Sequence, residues 1–383
     1  MKKFVAICLL LLMTVGLCAC STKEPAAAEE SGTPVTDLVN RQVNIVPGSY
    51  RRIVCIGAGA LRMYAYVGDV SLLCGVEDID NLSLAQRPKM FDGVARPYVL
   101  AYSDVFSTLP SCGTGGPNAQ TAEAEKILSC GPDLVISEYE DAEKADALQK
   151  QLGIPVITLR TGPDGVFSEE FTRSVKLLGT VLDRDERAEE LCSYVKAQTE
   201  EIRERVAEIP EEERPSCYVC GLGNYGTTNH LMTSESFLPF EIAGVNNALT
   251  GTGTRGTQQI EEEKFVSLGK DMDYVFVDAA AVKNIIPLIQ EDPELFDQCR
   301  AWQEGRFFLQ MAYNAYYTNQ ELNLCNTWFI AKTVYPERFA DIDLTEKMDE
   351  ITKQFLGKEL SSEILACPCS YSGYGQISQD LFR

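Results

Sequence analysis

The groups best suited to ligand chemistry fall in loops or at the starts of helices. Arg96 and Arg255 can pair with carboxylates or with an oxyanion. The backbone N–H groups of Ala58, Gly59 and Ala60 open a predicted helix, where they can receive an anionic group. The phenols that can stack on a ligand or hydrogen-bond to it belong to Tyr98, Tyr139, Tyr225, Tyr313, Tyr316 and Tyr317. These are the candidate ligand-binding residues, and packing in the protein interior is the alternative role of each tyrosine.

His230 is the only histidine of the chain and lies in a predicted loop. It can serve as an axial ligand of haem iron or cobalt, as a donor to an anion, or as an ordinary surface residue. A single histidine excludes a metal site built from several imidazoles, and no protein-bound cofactor is predicted. A Ser-His-Asp triad would have to use His230, no G-x-S-x-G elbow surrounds a serine, and a P-loop is absent from the sequence. The chain is therefore predicted not to be an enzyme.

The first residues have the pattern of a secretory signal. Lys2 and Lys3 precede an apolar run from Phe4 to Val15, and Leu17-Cys18-Ala19-Cys20 resembles a lipobox. Residues 1–19 are therefore predicted to be removed, with Cys20 acylated and anchored on the outer face of the cytoplasmic membrane. A transmembrane helix is the competing interpretation, but the apolar run is short for a bilayer. Residues 20–36 are predicted to be a flexible tether.

The chain is acidic, with 34 Lys+Arg against 56 Asp+Glu among 383 residues and a net charge of −22. This balance argues against nucleic acid as a partner, because binding to it requires neutralised phosphates. Of the 14 cysteines, Cys8 and Cys18 leave with the signal and Cys20 is acylated, so 11 remain. Cys217 and Cys220 lie in an apolar run, where a strand would point them to opposite faces. The sequence leaves the thiol state of these cysteines open.

Strand and helix patterns alternate along most of the chain, which predicts an α/β protein with mostly parallel sheets. The strongest helix pattern runs from Asp183 to Ile209, with Asp183 as the predicted N-cap and Pro210 as the stop. This long helix is predicted to join two lobes, and an ordinary surface helix is the alternative. The predicted organisation is an N-terminal lobe at 37–165, an inter-lobe helical segment at 166–211, a C-terminal lobe at 212–357 and an extension at 358–383. Residues 78–118 are predicted to be a long irregular loop.

The chain resembles the solute-binding lipoproteins that deliver iron–siderophores, haem and cobalamin to ABC importers. The resemblance runs from Val35 to about Gly357 and rests on the order of many short matches. They include Arg52-Ile53-Val54, Gly68-Asp69, Gly75-Val76 and the segment from Glu125 to Ile136. Gly59-Ala60-Leu61-Arg62, Arg96-Pro97-Tyr98 and Gly113-Thr114-Gly115-Gly116 resemble the iron-complex branch, in which one relative is associated with molybdate and tungstate.

This resemblance implies two lobes with a ligand cleft between them, where the carboxyl ends of the strands converge. A helix between the lobes implies modest closure and favours a rigid ligand. The resemblance also implies that one exposed glutamate per lobe docks onto permease arginines. Glu125 matches position for position, whereas Glu263 lies in a copy two residues longer, where Glu261 or Glu262 can replace it.

The predicted function is capture of an iron chelate, such as a siderophore or haem, for an ABC permease and its ATPase. The alternatives are cobalamin or an oxyanion such as molybdate or tungstate in the same fold. A lipid-anchored sensor or an enzyme is a more distant alternative.

Overall fold

The computed structural model describes residues 32–117, 121–138 and 140–377. The N-terminal lobe begins with an antiparallel pair, β1 and β2, and continues with a parallel sheet in the order β5-β4-β3-β6-β7. Its strands are β1 (Thr33–Thr36), β2 (Gln42–Ile45), β3 (Ile53–Ile56), β4 (Leu73–Glu77), β5 (Ser111–Gly113), β6 (Leu134–Glu138) and β7 (Val156–Leu159). Its helices are α1 (Ala60–Val67), α2 (Pro97–Phe106), α3 (Ala124–Ser129) and α4 (Ala142–Leu152).

Two consecutive helices lead from this lobe to the next. Helix α5 (Glu169–Leu182) and helix α6 (Asp185–Val206) pack against each other along their lengths. The 22 residues of α6 span roughly 33 Å. Its apolar stripe is buried at Ala188, Leu191, Val195, Ile202 and Val206, which is the helical periodicity seen in the sequence.

The C-terminal lobe has a sheet in the order β10-β8-β12-β13-β14 and a small antiparallel pair of β9 with β11. Its strands are β8 (Ser216–Cys220), β9 (Met232–Ser234), β10 (Asn246–Asn247), β11 (Thr257–Gln259), β12 (Tyr274–Asp278), β13 (Phe307–Gln310) and β14 (Gly375–Gln376). Its helices are α7 (Leu238–Ile242), α8 (Glu262–Gly269), α9 (Val282–Glu291), α10 (Pro293–Asp297), α11 (Arg300–Gln303), α12 (Gln320–Val334), α13 (Leu344–Leu356) and α14 (Ser361–Ala366). The predicted fold class is confirmed, because both central sheets are mostly parallel and carry helices.

The two sheets are joined by polar contacts and by a continuous apolar core. Arg62 of α1 is 1% exposed and donates across the lobes to the carbonyl oxygens of Ala315 (2.9 Å) and Tyr316 (3.1 Å) and to Oδ1 of Asn319 (3.0 Å). One cluster of buried apolar residues extends from the N-terminal strands to α12, α13 and α14. The two lobes therefore share a packed interface with buried hydrogen bonds.

The C-terminal segment also contacts both lobes. Strand β14 pairs antiparallel with β13 and so extends the C-terminal sheet. On the other side, the Cys369 N–H donates to the Gly93 carbonyl at 2.9 Å, and the Lys358 ammonium donates to the Ala101 carbonyl. Residues 361–376, which fall in the predicted extension, are thus an integral part of the fold.

Several local predictions were wrong at element boundaries. Asp183 is not the N-cap of the long helix: it has φ +55° and ends α5 in the left-handed conformation, so α6 starts at Asp185. The sequence 183–186 resembles a capping box, but the chain turns between two helices there. The predicted loop 78–118 contains α2 and β5, and Thr33–Thr36 of the predicted tether form β1.

Two further observations concern the cysteines and the membrane. Each of the 11 cysteines in the described ranges is a free thiol. Cys217 and Cys220 are buried in different apolar clusters, which confirms that they point to opposite faces of β8. Among the residues described, no helix combines the length and apolarity needed to cross a membrane.

Candidate functional site

A cleft of about 800 Å³ lies between the lobes at the carboxyl ends of their strands. From the N-terminal lobe it is lined by residues that end or follow β3, β4 and β6 and by the loop before α2. From the C-terminal lobe it is lined by residues after β8 and β13. The lining residues are Ile56, Gly57, Ala58, Glu77, Met90, Phe91, Gly116, Pro117, Thr121, Ala122, Glu138, Glu140, Lys144, Asn224, Tyr225, Thr227, Asn314, Tyr316 and Tyr317. This volume suits an organic ligand of substantial size.

The start of α1 at the floor of the cleft already faces two carboxylates of the protein. The Gly57 N–H donates to Oε1 of Glu77 at 3.1 Å. Gly59 has φ +100°, and a Cβ there would lie 2.5 Å from Oε2 of Glu138. Protein carboxylates therefore lie beside the helix start to which the sequence assigned an anionic ligand group.

Of the three residues predicted at this helix start, only Ala58 is among the lining residues of the cleft. Gly59 packs against Glu138, and the left-handed turn favours glycine at this point. Ala60 is fully buried, and its N–H donates to the Gly57 carbonyl at 3.2 Å. The Ala60 N–H, predicted to receive an anionic group, is thus already used within the turn.

Glu77 and Glu138 form the acidic floor of the cleft. Glu77 accepts a second hydrogen bond, from the Tyr316 hydroxyl at 2.7 Å. Glu138 is 2% exposed, and its Oε1 accepts a hydrogen bond from the Thr161 hydroxyl at 3.0 Å. Burial in a low-dielectric environment disfavours the charged forms and raises the pKa of both carboxyls to about 7. Burial also raises the pKa of the neighbouring Glu140.

Aromatic side chains form the opposite wall. Tyr316 and Tyr317 have φ of +53° and +70°, a backbone conformation that bulky residues seldom adopt. The bonds from Arg62 to the carbonyls of residues 315 and 316 hold this loop. Phe91 lies 6.0 Å from Tyr316 and 6.1 Å from Tyr225 between ring centroids. Tyr225, Tyr316 and Tyr317 are thus the predicted tyrosines that the structure brings together in the cleft.

Arg96 and Tyr98 were predicted to bind ligand, but the structure does not place them among the lining residues of the cleft. Arg96 is 3% exposed and forms an ion pair with Asp80, and the Tyr98 hydroxyl donates to Asp80 Oδ1 at 2.6 Å. Arg96 also donates to the Ile79 carbonyl at 3.1 Å. These side chains pair with each other in the interior because a buried guanidinium requires a buried counter-charge.

His230, for which ligand contact was one predicted role, is not among the lining residues of the cleft either. Its ring is 3% exposed and lies 4.9 Å from the Phe265 ring and 5.3 Å from the Phe296 ring. Neither ring nitrogen finds a hydrogen-bond partner among the described residues. Burial therefore lowers the pKa of the imidazole to about 4, and the ring is a neutral component of the core.

The remaining predicted residues are scattered. Tyr313 lines a separate small cavity with Asp164 and Phe237 rather than the main cleft. Arg255 is exposed on the loop before β11 and is not among the lining residues of the cleft. Tyr139 and Cys20 lie outside the described residues. The described chain contains no group of three or more His, Cys, Asp or Glu side chains that could hold a metal ion.

Sequence reasoning missed the carboxylates of the cleft. Glu77 and Glu138 are the last residues of the buried strands β4 and β6. A polar residue that ends an apolar parallel strand points toward the ligand edge of the sheet, so this signal was present in the sequence.

The two predicted docking glutamates are on the surface. Glu125 is exposed at the second position of α3, and Glu263 is exposed in the first turn of α8 beside Glu261 and Glu262. Leu128, one helical turn after Glu125, is a large apolar side chain with 46% of its surface exposed.

A family model described as "Periplasmic binding protein" matches residues 53–311. The molybdate-binding protein MolA of Haemophilus influenzae is 23% identical over 253 residues, which cover 60% of this chain and 69% of MolA. The uncharacterised ABC transporter substrate-binding lipoprotein YvrC of Bacillus subtilis is 30% identical over 96 residues, 25% of this chain and 30% of YvrC.

Solved structures share the fold. The structure of MolA bound to molybdate aligns with a TM-score of 0.64 at 19% identity and covers 85% of this chain and 98% of MolA. A periplasmic haem-binding protein from Pseudomonas aeruginosa aligns with a TM-score of 0.50 at 21% identity and covers 75% and 94% of the two chains. At these identities the structural similarity establishes the architecture alone.

Proposed function

The chain belongs to the periplasmic binding protein family, and we infer that it captures a metal chelate outside the cell for import. Proteins of this type are the substrate-binding components of ABC transporters and work with a permease and an ATPase. The cleft is the observation that supports a chelate as the ligand. Its volume of about 800 Å³, its aromatic wall and its acidic floor suit a bulky ligand better than a four-oxygen anion.

The charged side chains that line the cleft also favour a chelate over an oxyanion. The lining includes three carboxylates, Glu77, Glu138 and Glu140, and Lys144 is the only cationic side chain among the described lining residues. An oxyanion site requires several donors and positive charge, because a desolvated anion is costly to bury without them. Here the start of α1 faces Glu77 and Glu138 instead.

The relatives favour a second candidate, an oxyanion such as molybdate or tungstate. MolA, which is molybdate-binding by name, is similar over 69% of its length. Protonated Glu77 and Glu138 would act as donors in that case, since burial raises the pKa of both to about 7. Affinity for an oxyanion would then fall as the pH rises.

Calorimetry of the purified protein tests these candidates. The panel consists of haem, cobalamin, a ferric trihydroxamate, molybdate and tungstate, measured at pH 6 and pH 8. We expect stoichiometric binding of at least one metal chelate, with an increase in thermal stability and no product. Binding of molybdate or tungstate without any chelate, or of a sugar or peptide alone, would overturn the proposal.

Delivery to the permease is proposed to use Glu125 and Glu263 as charged contacts to permease arginines. Glu125→Ala should lower ligand uptake by cells while the affinity of the purified protein stays unchanged. Glu186→Ala, at an exposed position in the first turn of α6, is the matched control and should leave uptake intact. Lost affinity in Glu125→Ala would contradict a docking role.

Attachment to the outer face of the cytoplasmic membrane is proposed to use acylated Cys20. Metabolic labelling with a radioactive fatty acid should label the wild-type protein and not Cys20→Ala, since the Cys20 thiol carries the lipid. Equal labelling of both proteins would contradict lipidation.

A further inference from the structure

Glu138 has one carboxylate oxygen with which no described residue pairs. Oε1 accepts the hydrogen bond from Thr161 at 3.0 Å, whereas Oε2 has no hydrogen-bond partner in the described part of the chain. The side chain is 2% exposed, and the residue lines the cleft. Buried carboxylate oxygens are ordinarily paired, so an unpaired one beside a ligand cleft points to a partner supplied by the ligand.

The neighbouring cations do not form a salt bridge with this oxygen. The Arg62 guanidinium donates to two carbonyls and to Asn319. Arg160 donates to the Leu159 carbonyl at 2.8 Å and to the Glu140 carbonyl. Lys144, at the rim, has a side chain 58% exposed and lies 3.8 Å from Asp141. Arg62 and Arg160 lower the pKa of Glu138 less than burial raises it.

The other carboxylates add negative charge to the same region. Glu77 is fully paired, because it accepts the Gly57 N–H on one oxygen and the Tyr316 hydroxyl on the other. Glu140 lines the cleft two positions after Glu138. A cation that reached Glu138 would therefore meet one buried oxygen that is unpaired among the described residues, with two further carboxylates nearby. Such a cation would also supply the counter-charge that the desolvated Glu138 carboxylate lacks.

We propose that Glu138 binds a cationic group of the ligand, a protonated amine or a guanidinium, and that the cleft selects chelates that carry such a group. The inference rests on the proposed function and adds the chemical class of the ligand. Phe91, Tyr225 and Tyr316 contact the body of the chelate, and Glu138 with Glu77 and Glu140 recognises its positive end. Glu138 is thus the residue that determines specificity for charge.

The test uses two ferric trihydroxamate probes that differ in one group. The first has a free terminal ammonium, and the second is the same chelate N-acetylated and therefore uncharged there. In the wild-type protein the ammonium chelate should bind about ten- to a hundred-fold more tightly, the factor expected for a charge-assisted hydrogen bond. In Glu138→Gln, which keeps the size of the side chain, the two affinities should become nearly equal.

The pH dependence supplies a second readout. Affinity for the ammonium chelate should rise between pH 6 and pH 8 as the Glu138 carboxyl ionises, and in Glu138→Gln the rise should shrink to the part that ionisation of Glu77 contributes. Glu186→Gln is the control at an exposed site and should keep both the preference and the pH dependence. Thermal unfolding of each variant verifies that it is folded.

The outcomes distinguish failure of the cation inference from failure of the proposed function. Equal affinity of both probes for the wild type, or a preference that survives in Glu138→Gln, would overturn the cation inference while the chelate function stands. Binding of neither probe would overturn the inference, and the proposed function would fall with it only if haem and cobalamin also fail to bind. Affinity for the ammonium chelate that falls with rising pH would show that Glu138 acts as a proton donor, which also contradicts the inference.

Discussion

Replacing Arg62 with methionine should destabilise the interface between the lobes by about 4 kcal/mol. The guanidinium makes three hydrogen bonds of 2.9–3.1 Å across the interface, and its carbon lies 4.7 Å from the centroid of the Tyr98 ring. Methionine fills much of the volume but leaves three buried acceptors without a donor. Hydrogen bonds from charged groups contribute about 1.5–3 kcal/mol each, and loss of one partner of a buried charged contact costs about 3–5 kcal/mol.

The effect extends to the ligand site because Arg62 holds the carbonyls of Ala315 and Tyr316. These residues precede Tyr317 in the left-handed loop of the aromatic wall. The melting temperature should fall by roughly 5 °C, since an unfolding entropy of about 2.1 cal/mol/K per residue makes each kcal/mol worth only a degree or two in a chain of this size. Affinity for the ligand should fall as well.

Guanidinium denaturation and scanning calorimetry measure the loss of stability, and calorimetry with the ligand measures the loss of affinity. Arg173→Met on the exposed face of α5 is the matched control and should change the free energy of unfolding by less than about 0.5 kcal/mol. A loss of less than about 1 kcal/mol in Arg62→Met, or equal losses in both variants, would refute the role of Arg62 as the clamp between the lobes.

Three further predictions concern the floor of the cleft and the core. Gly59→Ala should lower the free energy of unfolding by about 2 kcal/mol or more, because φ is +100° and a Cβ would lie 2.5 Å from Glu138. The control Gly153→Ala, with φ +70° and open space around it, should lower it by about 1 kcal/mol. Equal losses in thermal unfolding would contradict the contact with Glu138. Burial raises the pKa of Glu77 and of Glu138 from 4.5 to about 7, so the folded state holds protons that the unfolded state has lost between these values. The free energy of unfolding should therefore decrease from pH 4.5 to pH 7 by up to about 1.4 kcal/mol per pH unit for each group, and an unchanged slope in Glu138→Gln would count against this assignment. His230→Phe should leave ligand affinity unchanged. It should raise the free energy of unfolding above that of wild type by more at pH 5 than at pH 7, because burial holds the pKa of the folded imidazole at about 4. Weaker ligand binding in this variant would indicate that His230 contacts the ligand.

The regular elements were largely predictable from the sequence. The local signals of α4 are present in the sequence, since Asp141 caps its first turn and Gly153 ends it in the left-handed conformation. The apolar run of β6 likewise leads to Glu138, the last residue of the strand. The boundary at Asp183 failed because a carboxylate can cap a helix start or occupy a left-handed helix end, and the three-residue spacing to Glu186 does not distinguish the two.

The candidate site was predicted less well, for a physical reason seen in Arg96 and Glu138. An arginine in a loop has the chemistry to bind an anion, but Asp80, 16 positions earlier, already neutralises Arg96 in the interior. A glutamate at the end of an apolar strand looks like a surface residue, yet the tertiary structure desolvates Glu138 and leaves one oxygen unpaired among the described residues. Burial decides both roles, and burial is not a local property.

The sequence by itself determined the class of fold, because the periodicity of apolar residues within a dozen positions sets each strand and helix. It also excluded a metal site built from several imidazoles, because the chain has one histidine. Only the tertiary structure decided which loops meet. The Tyr316 hydroxyl and the Glu77 carboxylate are 239 positions apart, and their 2.7 Å contact brings the aromatic wall to the acidic floor. The charge preference that we assign to the cleft depends on this contact between the lobes. A carboxylate without a counter-charge is costly only where water is excluded, and the contact helps to exclude water from the floor.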